Sequence, residues 1–383
     1  LLALFDLFSG GAFSNFTIFA LSITPYITAS IIFQLLTIAV PSLERLAREG
    51  QEGKKKIAQY TRYLTVVLAF VQAIGLAIGL FRQALISTDF FSVGVIVLTL
   101  SAGTAFLMWL GEQIQERGIG NGISLVITAG IISRIPTALN QLFVLISPFA
   151  ASRRQIQPIT LLIMAVLLGA VVFSVILITQ GLRKIPVQYA RRIVGRKIYG
   201  GQSTYIPLKV DTSGVIAIIF AQSIILFPAT LASFIPNPGF QRFAQSLIRG
   251  QVLYSVVYAL LIIFFCYFYT AIVFNPNDLA ENMKKYGGFI PGIRPGAPTA
   301  EFLDFVMTRI TLAGASFIAI IAILPDFIMA WLKVPYLVAS FFGGTGVLII
   351  VGVMLDTLKQ IESHLLTHHY EGFIKSGQIR GRR

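Results

Sequence analysis

Charged side chains are scarce in this sequence, and their scarcity decides the broad class of the protein. Only 12% of the 383 residues are Asp, Glu, Lys or Arg, whereas 56% are hydrophobic and the mean hydropathy is +0.80. A soluble globular chain carries about 25% charged residues. The composition therefore excludes a soluble fold and predicts an integral membrane protein.

Reactive side chains are also nearly absent. The single cysteine, Cys266, excludes an intrachain disulfide, and the three histidines, His364, His368 and His369, all fall in the tail, where solvation is expected. The chain has no GxxxxGK[ST], HExxH or GxSxG motif. Its apolar runs carry no ionisable residue at mid-depth, where each costs about 2.5–3.5 kcal/mol. These absences argue against a coupled transporter, a pump or an intramembrane protease, and predict no enzyme activity, no cofactor and no metal site.

Long apolar runs take up most of the chain. A transmembrane helix needs about 20 apolar residues to cross a hydrocarbon layer of about 30 Å. Nine such runs lie near residues 15–39, 62–81, 93–110, 122–139, 158–180, 214–235, 252–274, 307–325 and 336–357. The third and fourth are short and need tilt or burial against neighbours to span. The sequence predicts an all-α polytopic transmembrane protein with nine spans.

Basic residues divide the gaps between these runs into two sets. Of the 30 Lys and Arg residues, 23 lie in the gaps 41–62, 111–121, 181–213 and 275–310 and in the tail from residue 358, 6 lie in the other four gaps, and Arg134 lies within the run 122–139. Cytoplasmic loops carry the excess of Lys and Arg, so the alternation supports nine spans. It predicts a cytoplasmic or stromal C-terminus and places Leu1 on the opposite side.

Two polar, proline-containing runs indicate an internal repeat. Many membrane transport folds consist of two repeats with equal numbers of spans, and nine is odd. The first run carries Pro25 with Ser22, Thr24, Thr28 and Ser30, and the sixth carries Pro228 with Gln222, Ser223 and Thr230. If these helices are counterparts, each is second in a five-helix half, and one span is missing before Leu1. The polar loop 140–157 then joins the halves.

One face of the first run is polar. Ser22, Tyr26, Ser30 and Gln34 recur every four residues, which places them on one side of a helix. Polar side chains in lipid require partners, so this face is predicted to contact another helix or water. Ordinary helix packing and a seam that opens both fit the pattern.

Two glycine-rich stretches punctuate the first half. Residues 1–13 are too short to span, and Gly10 and Gly11 separate them from the following helix. They form either an interfacial turn or frayed helix end, or a re-entrant piece in a cavity, where irregular backbone is tolerated at membrane depth. The stretch GIGNG at 118–122 is interpreted as a tight helix–helix turn rather than a phosphate loop.

Several long, ordered blocks give the chain a specific resemblance. They are FDLFSGGAFSNFTIFALSITPYITASIIFQLL, KKKIAQYTRY, MWLGEQIQERGIGNGISL, GQSTYIPLKV, SIILFPATLASF, FFCYFYTAIVFNPNDLAENMKKYGGFIPGIRPG and VMTRITLAGA. Over essentially its whole length the chain resembles the SecY/Sec61 alpha family, the central subunit of the Sec protein-conducting channel, in its bacterial or plastid type. That family has ten membrane helices, and the resemblance begins just after the first.

The resemblance implies two pseudo-symmetric five-helix halves around a central hourglass pore. The N-terminal half is 15–139, the hinge is 140–157, the C-terminal half is 158–357, and the cytoplasmic tail is 358–383. A constriction ring is implied at six isoleucines, which residue physics alone would assign to core packing: Ile23, Ile27, Ile123, Ile127, Ile219 and Ile349.

The same resemblance assigns two moving parts. Residues 1–14 become a plug on the non-cytoplasmic side of the ring, with Leu4, Phe5, Phe8, Gly10 and Gly11 as its key positions. A lateral gate lies between the first and sixth runs, with Ser30, Gln72, Gln222, Ser223 and Phe227 as its residues. Hydrogen bonds among Gln72, Gln222 and Ser223 are predicted to hold the closed seam.

The basic loops 181–213 and 275–310 are implied docking sites. Charge alone would make them topology anchors, and the resemblance adds the ribosome and the SecA motor ATPase as partners. The implied docking residues are Arg183, Lys184, Arg191, Arg192, Arg196, Lys197, Lys284, Lys285 and Arg294. Small SecE- and SecG-type subunits, unfolded preproteins and membrane lipids are the other expected partners, in a bacterial plasma membrane or a thylakoid membrane.

The implied function is passive conduction of unfolded preproteins across the membrane and lateral release of transmembrane segments into lipid, driven by the ribosome or SecA. Two other classes remain open on the residues alone. One is a carrier for an uncoupled or lipid-like solute, and the other is an insertase or scaffold without a through-pore.

Overall fold

The computed structural model of the chain describes residues 9–80, 89–146, 158–189, 192–194, 197–199, 203–232, 239, 246, 252–332 and 334–376. Within these ranges the chain is mainly helical, with one three-stranded antiparallel sheet and one two-stranded ribbon. The predicted helical class is confirmed for the apolar part of the chain. The described strands lie in the two long basic gaps, where no strand was predicted.

The helices are α1 (Thr24–Ala39), α2 (Pro41–Arg48), α3 (Gln51–Gly75) with a π-helical turn (Leu76–Leu80), α4 (Phe90–Arg117), α5 (Gly122–Ser133), α6 (Ile135–Ile146), α7 (Pro158–Gln180), α8 (Gly214–Ala232), α9 (Val252–Val273), α10 (Pro276–Lys285), α11 (Ala297–Leu332), α12 (Tyr336–Phe341) and α13 (Thr345–Ser376). The strands are β1 (Leu182–Tyr189), β2 (Arg192–Val194), β3 (Lys197–Tyr199), β4 (Ser203–Lys209) and β5 (Gly288–Phe289).

Every predicted apolar run contains a helix, but not every helix is long enough to cross a bilayer. Among the described residues, seven helical segments are long and apolar enough to span. An eighth is present if α1 and α2, bent by 101° at Val40, count as one span, and the described apolar part of α8 is shorter. The number of nine spans therefore stays a prediction.

The first run is helical only in its second part, which corrects the predicted helix from Asn15. Residues 9–23 form successive turns, and α1 begins at Thr24 with Pro25 in its first turn. Proline is favoured there because its missing N–H would have no partner anyway. Pro25 therefore starts this helix rather than interrupting it, and Ser22, with a φ of 52°, lies before it.

A glycine allows those turns to lie directly against α4. A Cβ atom added to Gly103 would clash with the backbone oxygen of Ile18. The hydroxyl of Thr104, one residue further along α4, donates a hydrogen bond to the carbonyl of Ser22 over 3.3 Å. Residues 17–22 thus follow the surface of α4 before the chain turns into α1.

The main core lies at the centre of the helix bundle. Its buried side chains come from α1, α5, α7, α8, α9, α11 and α13. Helix α1 packs against α8, and α13 packs against both α5 and α8. Because α1 and α5 precede residue 147 and the other helices follow residue 157, this core joins the first and second parts of the chain.

Several predicted loops are more ordered than expected. The loop 140–157 is helical as far as Ile146, and its residues 147–157 lie outside the described ranges. The predicted tail from 358 continues α13 as far as Ser376. The GIGNG stretch is a tight turn as predicted: Gly120 has a φ of 96°, and the Asn121 side chain caps α5 by accepting from the backbone of Ser124 at 3.2 Å.

The two basic gaps fold together into one unit, here called the loop platform (β1, β4, β5, α10 and the first turns of α11). Its sheet has the order β4-β1-β5, with Leu182 opposite Lys209 and Gln188 opposite Phe289. Ile185 and Val187 of β1 point inward and join a core with Leu208, Met283 and Leu303. The small ribbon β2–β3 extends from the same hairpin.

Candidate functional site

The six isoleucines predicted to form a constriction lie in one cluster, here called the collar. Five of them, Ile23, Ile27, Ile127, Ile219 and Ile349, are buried members of the main core, and Ile123 packs against them with partial exposure. They come from α1 and the turn before it, α5, α8 and α13. The structure therefore brings together residues that are up to 326 positions apart in the chain.

A cavity of about 410 Å³ lies directly next to the collar and is here called the vestibule. Ser124 follows collar residue Ile123, Ile216 lies one helical turn before Ile219, and Val353 lies one turn after Ile349. The rest of the wall mixes apolar side chains with polar and charged ones, and the polar and charged residues are Asn121, Thr179, Lys209, Asp211, Thr212, Ser213, Tyr269, Asp356, Thr357, Lys359 and Gln360. A cavity that carries charged side chains thus adjoins the apolar collar.

Hydrogen bonds fix the side of the vestibule that is nearest the loops. The backbone N–H of Gly120 donates to Oε1 of Gln360 on α13 over 2.8 Å. Asp211 caps α8, since its Oδ1 accepts from the backbone of Gly214 at 2.7 Å and from the hydroxyl of Ser213 at 3.2 Å. That hydroxyl also lies 3.3 Å from Sγ of Cys266 on α9. The start of α8 is therefore tied to the end of the loop platform and to α9.

Asp211 gives this cap a pH dependence. Burial raises the pKa of the Asp211 carboxyl above 3.8, the bonds from Gly214 and Ser213 oppose that shift, and the charge of Asp356 adds to it. The folded state therefore binds the proton more tightly than the unfolded chain. It follows that this group stabilises the fold at low pH, and that the stabilisation is lost as pH rises through the folded pKa.

We therefore expect Asp211→Asn to raise the melting temperature of the purified complex at pH 7, because asparagine keeps the capping acceptor and removes the buried charge. The gain should shrink as pH is lowered and the aspartate of the wild type takes up its proton. Thermal unfolding followed at several pH values measures both effects. Asp278→Asn, on an exposed surface, is the control, and an equal gain at every pH would contradict the assignment.

Helices α1 and α8 pack against each other and form the seam between the first and second parts of the bundle. Ser30 on α1 and Gln72 on α3 are half-buried, and Gln222 on α8 is 3% exposed. Phe227 lies on α8 in the part whose side chains fall outside the described set. The predicted gate residues thus lie on the seam helices and on α3, which packs against α1.

The predicted hydrogen bonds across the seam do not form. The Ser223 hydroxyl donates to the carbonyl of Ile219 in its own helix over 2.9 Å, as hydroxyls in apolar helices commonly do. On α1, the Gln34 amide donates to the Ser30 hydroxyl over 3.5 Å. Both amide atoms of Gln222 are buried with no hydrogen-bond partner in the described part of the chain. Among the described side chains, α1 and α8 therefore meet through apolar packing and not through the predicted hydrogen bonds.

An unpaired buried amide should weaken the closed seam, because burying such a group costs about 1–3 kcal/mol in proteins. We expect Gln222→Leu to stabilise the closed seam and to raise the hydrophobicity that a test segment needs to leave the channel sideways. Membrane insertion of a graded series of segments measures this threshold. Ser223→Ala is the control, because its hydroxyl is satisfied within α8, and an unchanged threshold in Gln222→Leu would count against the idea.

The first described residues lie against the junction of α5 and α6. Gly10 and Gly11 have φ angles of 64° and 94°, a conformation that favours glycine. Phe13 is buried in a small apolar cluster with Leu21 from the turns before α1, Ala73 from α3 and Leu100 from α4. The predicted plug positions Leu4, Phe5 and Phe8 lie outside the described residues.

The loop platform carries the predicted docking residues on its exposed faces. Arg183 and Lys184 are exposed on β1, with the Lys184 ammonium 4.8 Å from the centre of the Tyr205 ring. Lys284 and Lys285 end α10, and Arg294 is exposed in the turn before α11. Arg192 and Lys197 lie on β2 and β3, where only the backbone is described, and Arg191 and Arg196 lie outside the described residues.

Sequence reasoning missed three features of this site. The antiparallel pairing of β1 with β4 was signalled by the alternation in KIPV and YIPL, but two prolines obscured it. The Asp211 cap was signalled by DTSG before an apolar run. The break at Arg134 between α5 and α6 was signalled by a charge followed by Pro136 within an apolar run.

The comparisons with known proteins decide the family. A sequence model of the SecY family matches residues 17–358. The chain is 47% identical over 390 residues to protein translocase subunit SecY of Escherichia coli strain K12, across 100% of this chain and 86% of that protein. It belongs to the SecY family.

Other SecY-family members show the same extent of likeness. The chain is 47% identical over 386 residues to protein translocase subunit SecY of Pseudomonas aeruginosa, across 100% of this chain and 85% of that protein. The chain is 44% identical over 391 residues to the corresponding protein of Thermotoga maritima, across 100% of this chain and 86% of that protein.

Solved structures share the fold of this SecY-family chain at lower identity. The structure of a protein conducting channel matches with a TM-score of 0.64 at 20% identity, over 91% of this chain and 82% of that one. A SecY structure whose plug domain is described as stabilising the closed state matches with a TM-score of 0.62 at 20% identity, over 94% of this chain and 90% of that one. Sec61 in the canine ribosome–channel complex matches with a TM-score of 0.59 at 19% identity, over 91% of this chain and 81% of that one.

Proposed function

We propose that this SecY-family chain is the pore-forming central subunit of a protein translocase. It is a channel and not an enzyme, and it conducts unfolded preproteins across a membrane and releases transmembrane segments sideways into lipid. The observation that carries the proposal is the collar: isoleucines from α1, α5, α8 and α13 belong to one apolar cluster beside the vestibule, whose wall carries polar and charged side chains. The relatives at 44–47% identity, all protein translocase subunits, support it.

The collar suits a pore that must pass any side chain and yet retain ions. Its branched apolar side chains offer an ion no replacement for its hydration shell, so a closed collar excludes ions and water by dewetting. They also demand no hydrogen bond from a passing chain. Residues 15–139 and 158–357 are proposed as the two halves, with the hinge between them in 140–157, because α1 and α5 meet α8 and α13 at this point.

Lateral release is proposed through the seam of α1 and α8. A polypeptide segment of about 20 apolar residues can enter lipid as a helix because it satisfies its own backbone, whereas a polar segment cannot. Within the described residues the seam is closed mainly by apolar contacts, and Gln222 lacks a partner there. Such a seam can part without breaking strong bonds.

The loop platform is proposed as the docking surface for the ribosome and for a SecA-type motor. Small SecE- and SecG-type subunits are proposed as further partners that bind at other surfaces of the chain. The platform's own apolar core makes it rigid, and it joins the bundle where the carbonyl of Val210 lies against Gly314 of α11. Exposed Arg183, Lys184 and Arg294 suit phosphate contacts, so ribosome binding should weaken steeply with salt. The platform side is then cytoplasmic, or stromal in a thylakoid.

The test is transport in a reconstituted system. Vesicles containing the purified channel complex receive a radiolabelled preprotein, a SecA-type motor and ATP, and protease is then added outside. Preprotein should become protected only when motor and ATP are both present. Lack of protection with a competent motor, together with uptake of a small solute, would instead identify a solute carrier.

A further inference from the structure

Arg134 lies in an unusual place for a charged residue. It follows α5, which is 12 residues long, and so lies about 18 Å along the helix from the turn at 118–122 at 1.5 Å per residue. This is close to the middle of the apolar span Gly122–Leu145, so the prediction that the apolar runs carry no ionisable residue at mid-depth is wrong at this position. An ionisable side chain within a membrane span is costly and indicates a functional role with a specific partner.

The partner of Arg134 is the turn at residues 9–16. Nη2 of Arg134 donates to the hydroxyl of Ser14 over 3.5 Å. The hydroxyl of Ser133 donates to the carbonyl of Gly130 in its own helix over 2.7 Å, and it also lies 3.5 Å from the carbonyl of Gly10. The backbone itself comes close: a Cβ atom on Gly11 would lie 3.0 Å from Cζ of Arg134, and one on Gly10 would lie 2.6 Å from Oγ of Ser133. The two glycines allow this approach.

The turn at 9–16 is a compact piece with its own hydrogen bonds. Oγ of Ser9 accepts from the backbone of Phe13 at 3.0 Å, and the carbonyl of Gly11 accepts from the side chains of Ser14 and Asn15, each at 3.1 Å. It can therefore move as one unit. Phe13 attaches it by apolar contact, Arg134 supplies a directional contact through Ser14, and Ser133 packs closely against Gly10.

Positions along α5 place this turn relative to the pore. Ser124 lines the vestibule, Ile127 lies in the collar one turn later, and Ser133 lies about 9 Å further along the same helix. The turn at 9–16 therefore lies on the side of the collar away from the vestibule. A polypeptide that passes the collar must go past it.

We propose that Ser133 and Arg134 form a latch that holds residues 9–16 against the exit side of the collar in the idle channel. Arg134 is a positioning residue for the seal, and its release lets the turn move aside as one unit. The latch rests on the proposed function, because it has a role only in a channel that opens. A merely structural Arg134 would instead serve the C-terminal end of α5 through its charge.

The experiment measures ion leak from vesicles that contain the complete channel complex without a substrate. Arg134→Ala removes the arginine side of the contact, and Gly11→Val leaves the arginine in the sequence but presses a side chain against its guanidinium and so pushes the turn away from it. Each should raise the leak about tenfold, and motor-driven transport should continue. Because both changes act on one contact, the double variant should leak no more than the stronger single variant. Arg48→Ala, on an exposed helix surface, is the control.

Each other outcome is decisive. A wild-type leak in Arg134→Ala, in a preparation where collar variants do leak, overturns the latch and leaves the channel standing. The latch is also overturned if the leak of the double variant equals the product of the two single-variant increases, because the two residues then act separately. If Arg134→Ala loses transport without any leak, the residue is structural. If collar variants fail to leak as well, the fault lies with the proposed function.

Discussion

Vesicles containing the double variant Ile27→Gly and Ile219→Gly should leak ions on the order of a hundredfold faster than wild type, a change worth about 2.7 kcal/mol in the barrier. Both residues are buried in the collar, at 9% and 8% exposure, on helices α1 and α8 that face each other across the seam. Removing both side chains opens a space in which water can stay, and an ion then keeps part of its hydration shell.

The matched control separates the collar from helix stability. Glycine in a helix costs about 1 kcal/mol relative to alanine wherever it is placed. Ile163→Gly with Ile320→Gly changes the same residue type on α7 and α11 at positions that are 48% and 66% exposed, away from the main core. These vesicles should stay tight. Equal tightness of the collar variant would favour an insertase or scaffold without a through-pore.

A second large effect is expected where the turns before α1 cross α4. Gly103→Ala forces a methyl group into the carbonyl of Ile18, and overpacking of this kind typically costs about 1–3 kcal/mol. Since the atom it meets is backbone, residues 17–22 must shift as a segment. We expect a lower melting temperature for the purified complex, together with a raised ion leak because Ile23 of the collar directly follows this segment.

The same helix supplies a control with the opposite expected sign. Gly94 also lies in α4, and a Cβ atom there would meet nothing within 4 Å. Gly94→Ala should therefore raise the melting temperature slightly, because alanine is the better helix former by up to about 1 kcal/mol. Thermal unfolding of both variants gives the comparison. A melting temperature for Gly103→Ala at or above that of Gly94→Ala would contradict the packing.

The apolar runs predicted the helices well, because membrane helices satisfy their own backbone and depend little on distant residues. The predicted start of α1 at Asn15 was wrong, since hydropathy cannot distinguish an apolar turn from an apolar helix. Residues 15–23 are as hydrophobic as α1, and the positive φ of Ser22 and the contact of Ile18 with Gly103 become visible only in the fold.

Distant contacts limited the prediction of the site. The resemblance placed six isoleucines in one ring, and the structure brings them into one cluster. The hydrogen bonds predicted between Gln72, Gln222 and Ser223 failed because Ser223 has a nearer acceptor in its own helix. The sheet of the loop platform pairs Tyr189 with Gly288, which are 99 positions apart in the chain, and local sequence carries no signal for that pairing.

The most direct test of the central claim asks whether a moving polypeptide touches the collar. A photoreactive amino acid is placed at Ile219, at Ile349 or at the outward-facing control Ile320, and a preprotein is arrested halfway by a folded C-terminal domain. The account predicts adducts between preprotein and channel at Ile219 and Ile349, dependent on motor and ATP, and few at Ile320. Efficient arrest with no collar adducts, or with equal adducts at Ile320, would contradict it.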